Sequence, residues 1–331
     1  MKTYLITGGA GFIGSNFIHH ILSTYQDDCQ VVNLDSLTYA GNTKNLHSIA
    51  DRSNYHFVQG DICDEVLVRK LLNDYNVDYI IHFAAESHVD RSIEDSNVFA
   101  RTNIMGTLSL LNAAKSYWQT ESGYLIGKRF LFISTDEVYG SLGSEGFFTE
   151  DTPLAPRNPY AASKASAEFL SKSYFDTYQF PVIRTRCSNN YGPYQYKEKL
   201  IPHLLDCCIQ GLSLPIYGNG TAIRDWLHVS DHCRAIDLVV NQGELGEVYN
   251  VGGNTEKDTL DIAHAMIDIL NTKYGYQLDD SIITFVKDRQ GHDYRYAIDA
   301  SKIRKELGWF PEVSFEQGFE DTIAWYMQHN C

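Results

Sequence analysis

The segment Gly8-Gly-Ala-Gly-Phe-Ile-Gly14 narrows the folds open to this chain more than any other. It follows a short apolar run, Tyr4–Thr7, and opens a helical pattern over 12–24. Gly9, Gly11 and Gly14 meet the G-x-G-x-x-G spacing in its required strand–turn–helix context. The glycines permit a tight turn, close approach of backbone to a pyrophosphate, and close packing of helix on strand. The helix N-terminus adds free N–H groups and the positive end of a dipole. The expected ligand is therefore a dinucleotide.

Alternation continues beyond the loop. Expected strands are Tyr4–Thr7, Val31–Leu34, His56–Val58, Tyr79–Phe83, Phe130–Ser134 and Val182–Arg186. Helical patterns fall near 12–24, 64–75, 97–118 and 160–178. This argues for an α/β fold: a Rossmann-like doubly wound parallel sheet with helices on both faces. After Tyr191 turn-rich stretches interrupt the pattern, and helices recur near 199–210, 230–241, 258–274 and 315–328. The expectation is a dinucleotide-binding domain over 1–190, with 230–255, including the strand Val248–Val251, returning to it. Residues 191–229 and 256–331 then form a smaller mixed α/β C-terminal substrate domain.

Charge limits the partners. The 331 residues carry 27 Lys+Arg against 42 Asp+Glu, a net −15, which repels nucleic-acid phosphates and requires a local basic pocket for any anionic substrate. No apolar run is long enough to span a membrane and none reads as a secretory signal, so a cytoplasmic location is expected. The seven cysteines, at 29, 63, 187, 207, 208, 233 and 331, form no Cys-x-x-Cys pair, and reduced thiols are expected. His228 and His232, with Asp225 and Asp231 nearby, have a spacing open to metal. They fall in a segment where no water-activating step is needed, so no metal is expected.

Asp35 stands 21 residues after Gly14, at the end of the second expected strand. An acidic group there accepts from ribose hydroxyls and repels a 2′-phosphate, which favours NAD over NADP. Asp61-Ile62, after the third strand, is placed for the adenine. Tyr160 and Lys164 share one helix face, and a nearby ammonium favours phenolate, making Tyr160 a candidate general base. The same spacing recurs at Tyr124/Lys128, but there a connector replaces a helix. Thr135-Asp136-Glu137 ends the fifth strand, where such sheets face ligand. Two carboxyls there can divide acid and base roles if their surroundings differ. For Asp136 to be the acid it must keep its proton, through burial or the neighbouring Glu137 charge.

These residues carry a resemblance. The glycine loop, Tyr160/Lys164 and Thr135 are similar to the extended short-chain dehydrogenase/reductases that act on nucleotide sugars. Thr135-Asp136-Glu137 resembles the nucleotide-sugar 4,6-dehydratases among them, those acting on dTDP-glucose foremost. So do Asp35–Asn42, Phe83–Ser92, Ser188–Pro193, Arg224–His228 and Asp288–Asp293. The resemblance implies hydride leaving C4 of the sugar for NAD as Tyr160 takes the 4-hydroxyl proton and Thr135 orients it. Glu137 would then remove the C5 proton, Asp136 would protonate the departing 6-hydroxyl, and hydride would return to C6. NAD would stay tightly bound through the cycle.

Cofactor contacts implied by the resemblance are Gly8, Gly11, Phe12, Ile13, Gly14, Asp35, Ser36, Leu37, Thr38, Asp61, Ile62, Ala84, Ala85, Ser87, Thr102, Tyr160, Lys164 and Asn190. Implied substrate contacts are Ser87, Thr135, Asn189, Lys199, Leu200, Pro215, Ile216, Tyr217, Arg224, Thr259, Arg289 and His292, with the two arginines suited to a diphosphate. Thr259 offers no amide where the family usually carries Asn. A homodimer through a four-helix bundle of 97–118 and 160–178 is also implied, with rhamnose or another deoxysugar downstream. The competing readings are a UDP- or CDP-glucose 4,6-dehydratase, a UDP-sugar 4-epimerase, a UDP-glucuronate decarboxylase, a GDP-mannose 4,6-dehydratase and a silent NAD-binding scaffold. An epimerase needs no acid/base pair for C5 and C6 such as Asp136-Glu137, and among the dehydratases dTDP against UDP turns on packing around one methyl group.

Overall fold

A computed structural model describes residues 1–329. The first part of the chain runs β1 (Lys2–Thr7), α1 (Phe12–Thr24), β2 (Cys29–Asp35), β3 (Tyr55–Gln59), α2 (Glu65–Asp74), β4 (Tyr79–His82), α3 (Val89–Glu94), α4 (Ser96–Phe99) and α5 (Thr107–Trp118). A hairpin of β5 (Gln119–Thr120) and β6 (Gly123–Tyr124) leads to β7 (Arg129–Thr135), α6 (Pro159–Tyr178), β8 (Val182–Cys187) and β9 (Asn189–Tyr191). Then follow α7 (Leu200–Gln210), β10 (Leu214–Tyr217), β11 (Ile223–His228), α8 (Val229–Gln242), β12 (Val248–Val251) and β13 (Glu256–Asp258). The last elements are α9 (Thr259–Tyr274), β14 (Ile283–Val286), α10 (Ser301–Leu307) and α11 (Phe315–His329).

Seven strands form one sheet in the order β12-β8-β7-β4-β1-β2-β3, parallel throughout. Period-two alternation divides each strand between two cores. Tyr4, Ile6, Ile81, Leu131 and Ile133 pack toward α1 and α8 through Phe17, Ile18, Ile21, Ile236 and Val240. Leu5, Ile80, Phe130 and Phe132 pack on the opposite face with Leu71, Leu110, Leu111 and Ala167 of α2, α5 and α6. Chain order reverses between β1 and β4, the switch point where such sheets open a crevice at the carboxyl ends of their strands. A third core, built from α7, α9, α11 and β10 around Leu205, Ile216, Met266, Phe319 and Ile323, stands over that edge.

One expected helix is broken. The run 97–118 divides into α4, a π-helical stretch Ala100–Gly106, and α5. Asn103 explains the extra residue per turn, because its side chain is drawn inward. It accepts from the Glu86 N–H at 2.9 Å, donates to the Glu86 carbonyl at 3.0 Å and donates to Ser163 Oγ at 2.8 Å. Helix α6 starts at Pro159, whose fixed φ suits a first helical position, with Asn158 as N-cap accepting from the Ala161 N–H at 2.8 Å. Tyr124 lies in the β6 hairpin strand, so Tyr124/Lys128 share no helix.

Candidate active site

The phosphate loop lies between β1 and α1. Gly8 has φ +72, and a Cβ on it would lie 2.6 Å from the Ala84 nitrogen. A Cβ on Gly14 would lie 2.3 Å from the Gly8 carbonyl oxygen. Gly11 is the N-cap of α1 and offers no capping side chain, so the first-turn N–H groups are left to a ligand. Asp35, at the end of β2, accepts from the Ala10 N–H at 2.9 Å and the Leu37 N–H at 2.8 Å. It thus buttresses the loop while keeping lone pairs for a ribose. Phe12 and Ile13 begin α1, and Ser36, Leu37 and Thr38 follow Asp35, with Leu37 in the left-handed region. Asp61 accepts from Arg101 at 2.8 Å and from the Cys63 N–H, while Ile62 is buried beneath Gly106 of the π stretch. Ala84 and Ala85 follow β4, Thr102 lies on the π stretch, and Asn190 is on β9. A glycine cradle, an uncapped helix start and a strand-end carboxylate fit a dinucleotide.

The expected reacting groups come from the end of β7 and from α6. Thr135 closes β7 and N-caps the single turn Asp136–Tyr139, accepting from the Glu137 N–H and donating to Asp136, both at 3.3 Å. Asp136 is 1% exposed, and its second oxygen has no hydrogen-bond partner. Burial pushes its carboxyl well above the usual range, and the charges of Glu137 and Asp225 add to this. The protonated state expected of Asp136 is thus favoured, by both causes the sequence suggested. Burial also raises Glu137, but the Arg224 charge, the Asn158 amide at 3.3 Å, Lys199 and Arg289 oppose the rise.

Tyr160 and Lys164 share the buried face of α6, and Tyr160 is hydrogen-bonded to Thr135. Lys164 also has partners of its own. Its ammonium donates to the Ile133 carbonyl at 2.7 Å and lies over the Phe132 ring, while burial brings it down to about 8. Tyr160 lies well above its ordinary value, through burial first and the Glu137 charge second. Four-residue helical spacing puts two side chains on one face; it does not decide which carbonyl the longer one reaches.

The substrate-side residues come from distant segments. Lys199, just before α7, donates to the Ser87 carbonyl at 2.9 Å. Arg289 forms a bidentate pair with Asp90 of α3 and lies over the Tyr217 ring. Arg224 of β11 donates to the Asp293 carbonyl at 3.0 Å and covers the Tyr296 ring, and His292 pairs with Asp288 at 2.7 Å. The charges of Arg224, Lys199 and Arg289 all reach Glu137, which ties these basic groups to the acidic turn. Asn189 has a buried side-chain oxygen with no partner. Leu200 opens α7, Pro215 lies on β10, and Ile216 beside it has its side chain wholly within the third core. Thr259 opens α9, its N–H given to the Gly220 carbonyl at 3.1 Å.

Several functional neighbours went unread in the sequence. Asn158 both caps α6 and holds Glu137; its place before Pro159 signalled only the cap. Asn103, Tyr139 and Arg186 gave no signal, because their partners are far away along the chain. At the paired histidines, His232 is bonded to Asn190 at 2.9 Å and Asp231 accepts from the Glu312 and Val313 N–H groups. No group of three or more metal-ligating side chains suited to a metal ion occurs among the described residues. The six described cysteines are free, and Cys331 lies outside the described residues.

A parallel sheet with this loop at the end of β1, and a Tyr/Lys helix beside the end of β7, defines a dinucleotide-dependent short-chain dehydrogenase/reductase. Relatives place it more narrowly. The GDP-mannose 4,6 dehydratase family matches residues 5–322. A dTDP-glucose 4,6-dehydratase of Xanthomonas campestris pv. campestris (strain B100) is 50% identical over 331 residues, covering 99% of this chain and 93% of its own. Two solved dTDP-glucose 4,6-dehydratases match nearly the whole chain. The one from Bacillus anthracis str. Ames, in complex with NAD, has TM-score 0.90 and 46% identity, covering 100% of this chain and 98% of its own. DesIV from Streptomyces venezuelae, also with NAD bound, has TM-score 0.91 and 44% identity, covering 99% and 98%. The chain belongs to the nucleotide-sugar 4,6-dehydratase family and, within it, groups with the dTDP-glucose 4,6-dehydratases.

Proposed function

We propose that this protein dehydrates dTDP-glucose to dTDP-4-keto-6-deoxyglucose with NAD as its recycled cofactor, a hydro-lyase reaction at the head of deoxysugar synthesis. One observation carries the reading: Asp136, buried with an unpartnered oxygen and its carboxyl pushed up by burial, stands beside Glu137 at the end of β7, and Thr135 of the same strand end bonds the Tyr160 phenol. A 4-epimerase has no use for such an acid/base pair. When bound, NAD supplies a positive charge that favours the Tyr160 phenolate, accepts hydride from C4 and gives it to C6. Gly8, Gly11, Gly14 and Asp35 hold it, with Asp35 disfavouring a 2′-phosphate.

Tyr160 takes the proton of the sugar 4-hydroxyl, which Thr135 orients. The 4-ketone so formed acidifies C5, and Glu137 removes that proton. Asp136 protonates the 6-hydroxyl, which leaves as water. Glu137 then returns its proton to C5 as hydride reaches C6. The proton taken by Tyr160 balances the one Asp136 gave, so the net change is loss of one water. Lys164 braces the helix start against β7. Arg224 and Arg289 bind the diphosphate, and Ser87, Asn189, Lys199, Tyr217 and His292 line the rest of the substrate path.

The protein pairs as a homodimer through α4, the π-helical stretch, α5 and α6, where Val98 of α4, Met105 of the π-helical stretch and Phe169 of α6 are 44, 55 and 57% exposed. A reducing cytoplasm suits the six free thiols among the described residues. Separate incubation with dTDP-glucose, UDP-glucose, CDP-glucose and GDP-mannose, followed by mass, tests the substrate. Water loss from dTDP-glucose foremost is expected. Water loss from another sugar nucleotide alone overturns the nucleotide assignment, and a C4 epimer overturns the chemistry.

A further inference from the structure

Behind the acidic turn lies a buried polar cluster that none of the steps above uses. Tyr139 is the last residue of the Asp136–Tyr139 turn, two positions beyond Glu137, and is 3% exposed. Its ring stacks on Phe148 at 4.8 Å between centroids. Its hydroxyl donates to Asn250 Oδ1 at 2.8 Å and accepts from Arg186 at 2.6 Å. Arg186, on β8, also grips Glu168 with both Nε and a terminal nitrogen. Glu168 is on α6, one turn beyond Lys164 and on the same helix face. Asn250, on β12, is itself pinned by the Phe148 carbonyl at 3.1 Å and the Glu150 carboxylate at 2.8 Å.

The cluster thus connects the two halves of the catalytic set. One half is the turn that carries Asp136 and Glu137. The other is the helix that carries Tyr160 and Lys164. Arg186 touches both, through Tyr139 on one side and Glu168 on the other. Gly140, directly after Tyr139, has φ +89, and a Cβ there would lie 2.5 Å from the Ala155 carbonyl oxygen, so the turn's far end is fixed as well. The Thr135 cap and Asn158 hold the near end of the turn, and the Tyr139 hydroxyl holds its far end to Arg186.

We propose that Tyr139 is a positioning residue for the elimination step, its hydroxyl joining the Asp136/Glu137 turn to the Arg186–Glu168 pair on the Tyr160/Lys164 helix. The inference rests on the dehydration reading. It predicts a step-specific defect. Oxidation at C4 uses Thr135, Tyr160 and Lys164, and these keep their own contacts when the Tyr139 hydroxyl is removed. Elimination uses Asp136 and Glu137, and these lose their register.

The test is Tyr139→Phe, which keeps the ring on Phe148 and removes one oxygen. Arg186→Lys serves as a second variant that keeps a cation on Glu168 but shortens its reach to Tyr139. Thermal midpoint and bound NAD content check that each variant is folded. Expected for Tyr139→Phe is a fall in kcat of about 10- to 100-fold with KM little changed. Nicotinamide absorbance after one mixing with dTDP-glucose is expected to show reduced cofactor building up, since oxidation outruns elimination. The double variant should be no slower than the slower single one, since both act through one contact. Turnover by Tyr139→Phe at the unaltered rate, or loss of oxidation and elimination in equal measure, overturns the proposal. Glu137→Gln run alongside separates the two ideas: if that variant still eliminates water, the dehydration roles themselves fail; if it does not while Tyr139→Phe is fully active, only the positioning role fails.

Discussion

Asp136 and Glu137 are adjacent in sequence, yet their surroundings differ. Asp136 has an oxygen without a partner and feels two like charges; Glu137 has the Asn158 amide and three cations. Elimination needs Asp136 protonated and Glu137 ionised. The rate should therefore fall on the acid side as Glu137 gains its proton, at a pH above an ordinary glutamate's 4.5. It should fall on the alkaline side as Asp136 loses its own. Arg224→Gln removes the first-ranked charge holding Glu137 down, so the acid limb of kcat at saturating substrate should move to higher pH; an unmoved limb contradicts the electrostatics. Asn158→Ala should cost about 1 kcal/mol through the lost cap, read by denaturant unfolding, and should lower kcat as well, because the same side chain holds Glu137. Asp136 and Glu137 were legible as a candidate acid and base because both sit in one short motif. Asn158, Tyr139 and Arg186 were not, because a hydrogen bond between residues 47 apart, as in Arg186 to Tyr139, leaves no mark on local spacing.

At the scale of elements, every expected strand of the main sheet is present and most boundaries agree within two residues. Central parallel strands are buried on both faces, so Leu5-Ile6, Val31-Val32 and Ile80-Ile81 read as apolar runs that solvent-facing strands would not show. The strands missed, β5, β6, β9, β10, β11, β13 and β14, have six residues or fewer and lie where turn residues and charges intervene. The break in 97–118 was hidden for another reason: Asn103 causes it by reaching Glu86, a tertiary contact. Helix α1 gives the sharpest test of an element. Gly14→Ala adds a methyl 2.3 Å from the Gly8 carbonyl, so the helix must back away from the loop. Purified variant should carry much less NAD than the unaltered protein, as measured by absorbance of the released cofactor. Equal content would show that close packing at Gly14 does not shape the site.

Taken whole, the molecule sets a parallel sheet beside a layer assembled from late segments, and the proposed substrate path lies where the two meet. Arg289 on Asp90 and Lys199 on Ser87 are among the contacts that join them. No helix among the described residues is long and apolar enough to cross a membrane. The large apolar side chains left exposed on α4 to α6 are accounted for if a second copy covers them. Phe169→Asp should then shift the protein from dimer to monomer in sedimentation, and an unchanged mass would place the interface elsewhere. The central claim is that one bound NAD carries hydride from C4 to C6 of a single sugar while water leaves. It is tested most directly with dTDP-glucose bearing deuterium at C4. The account predicts a product lighter by one water, with the deuterium at C6. Deuterium retained at C4, released to solvent, or found in an epimer of unchanged composition would contradict it.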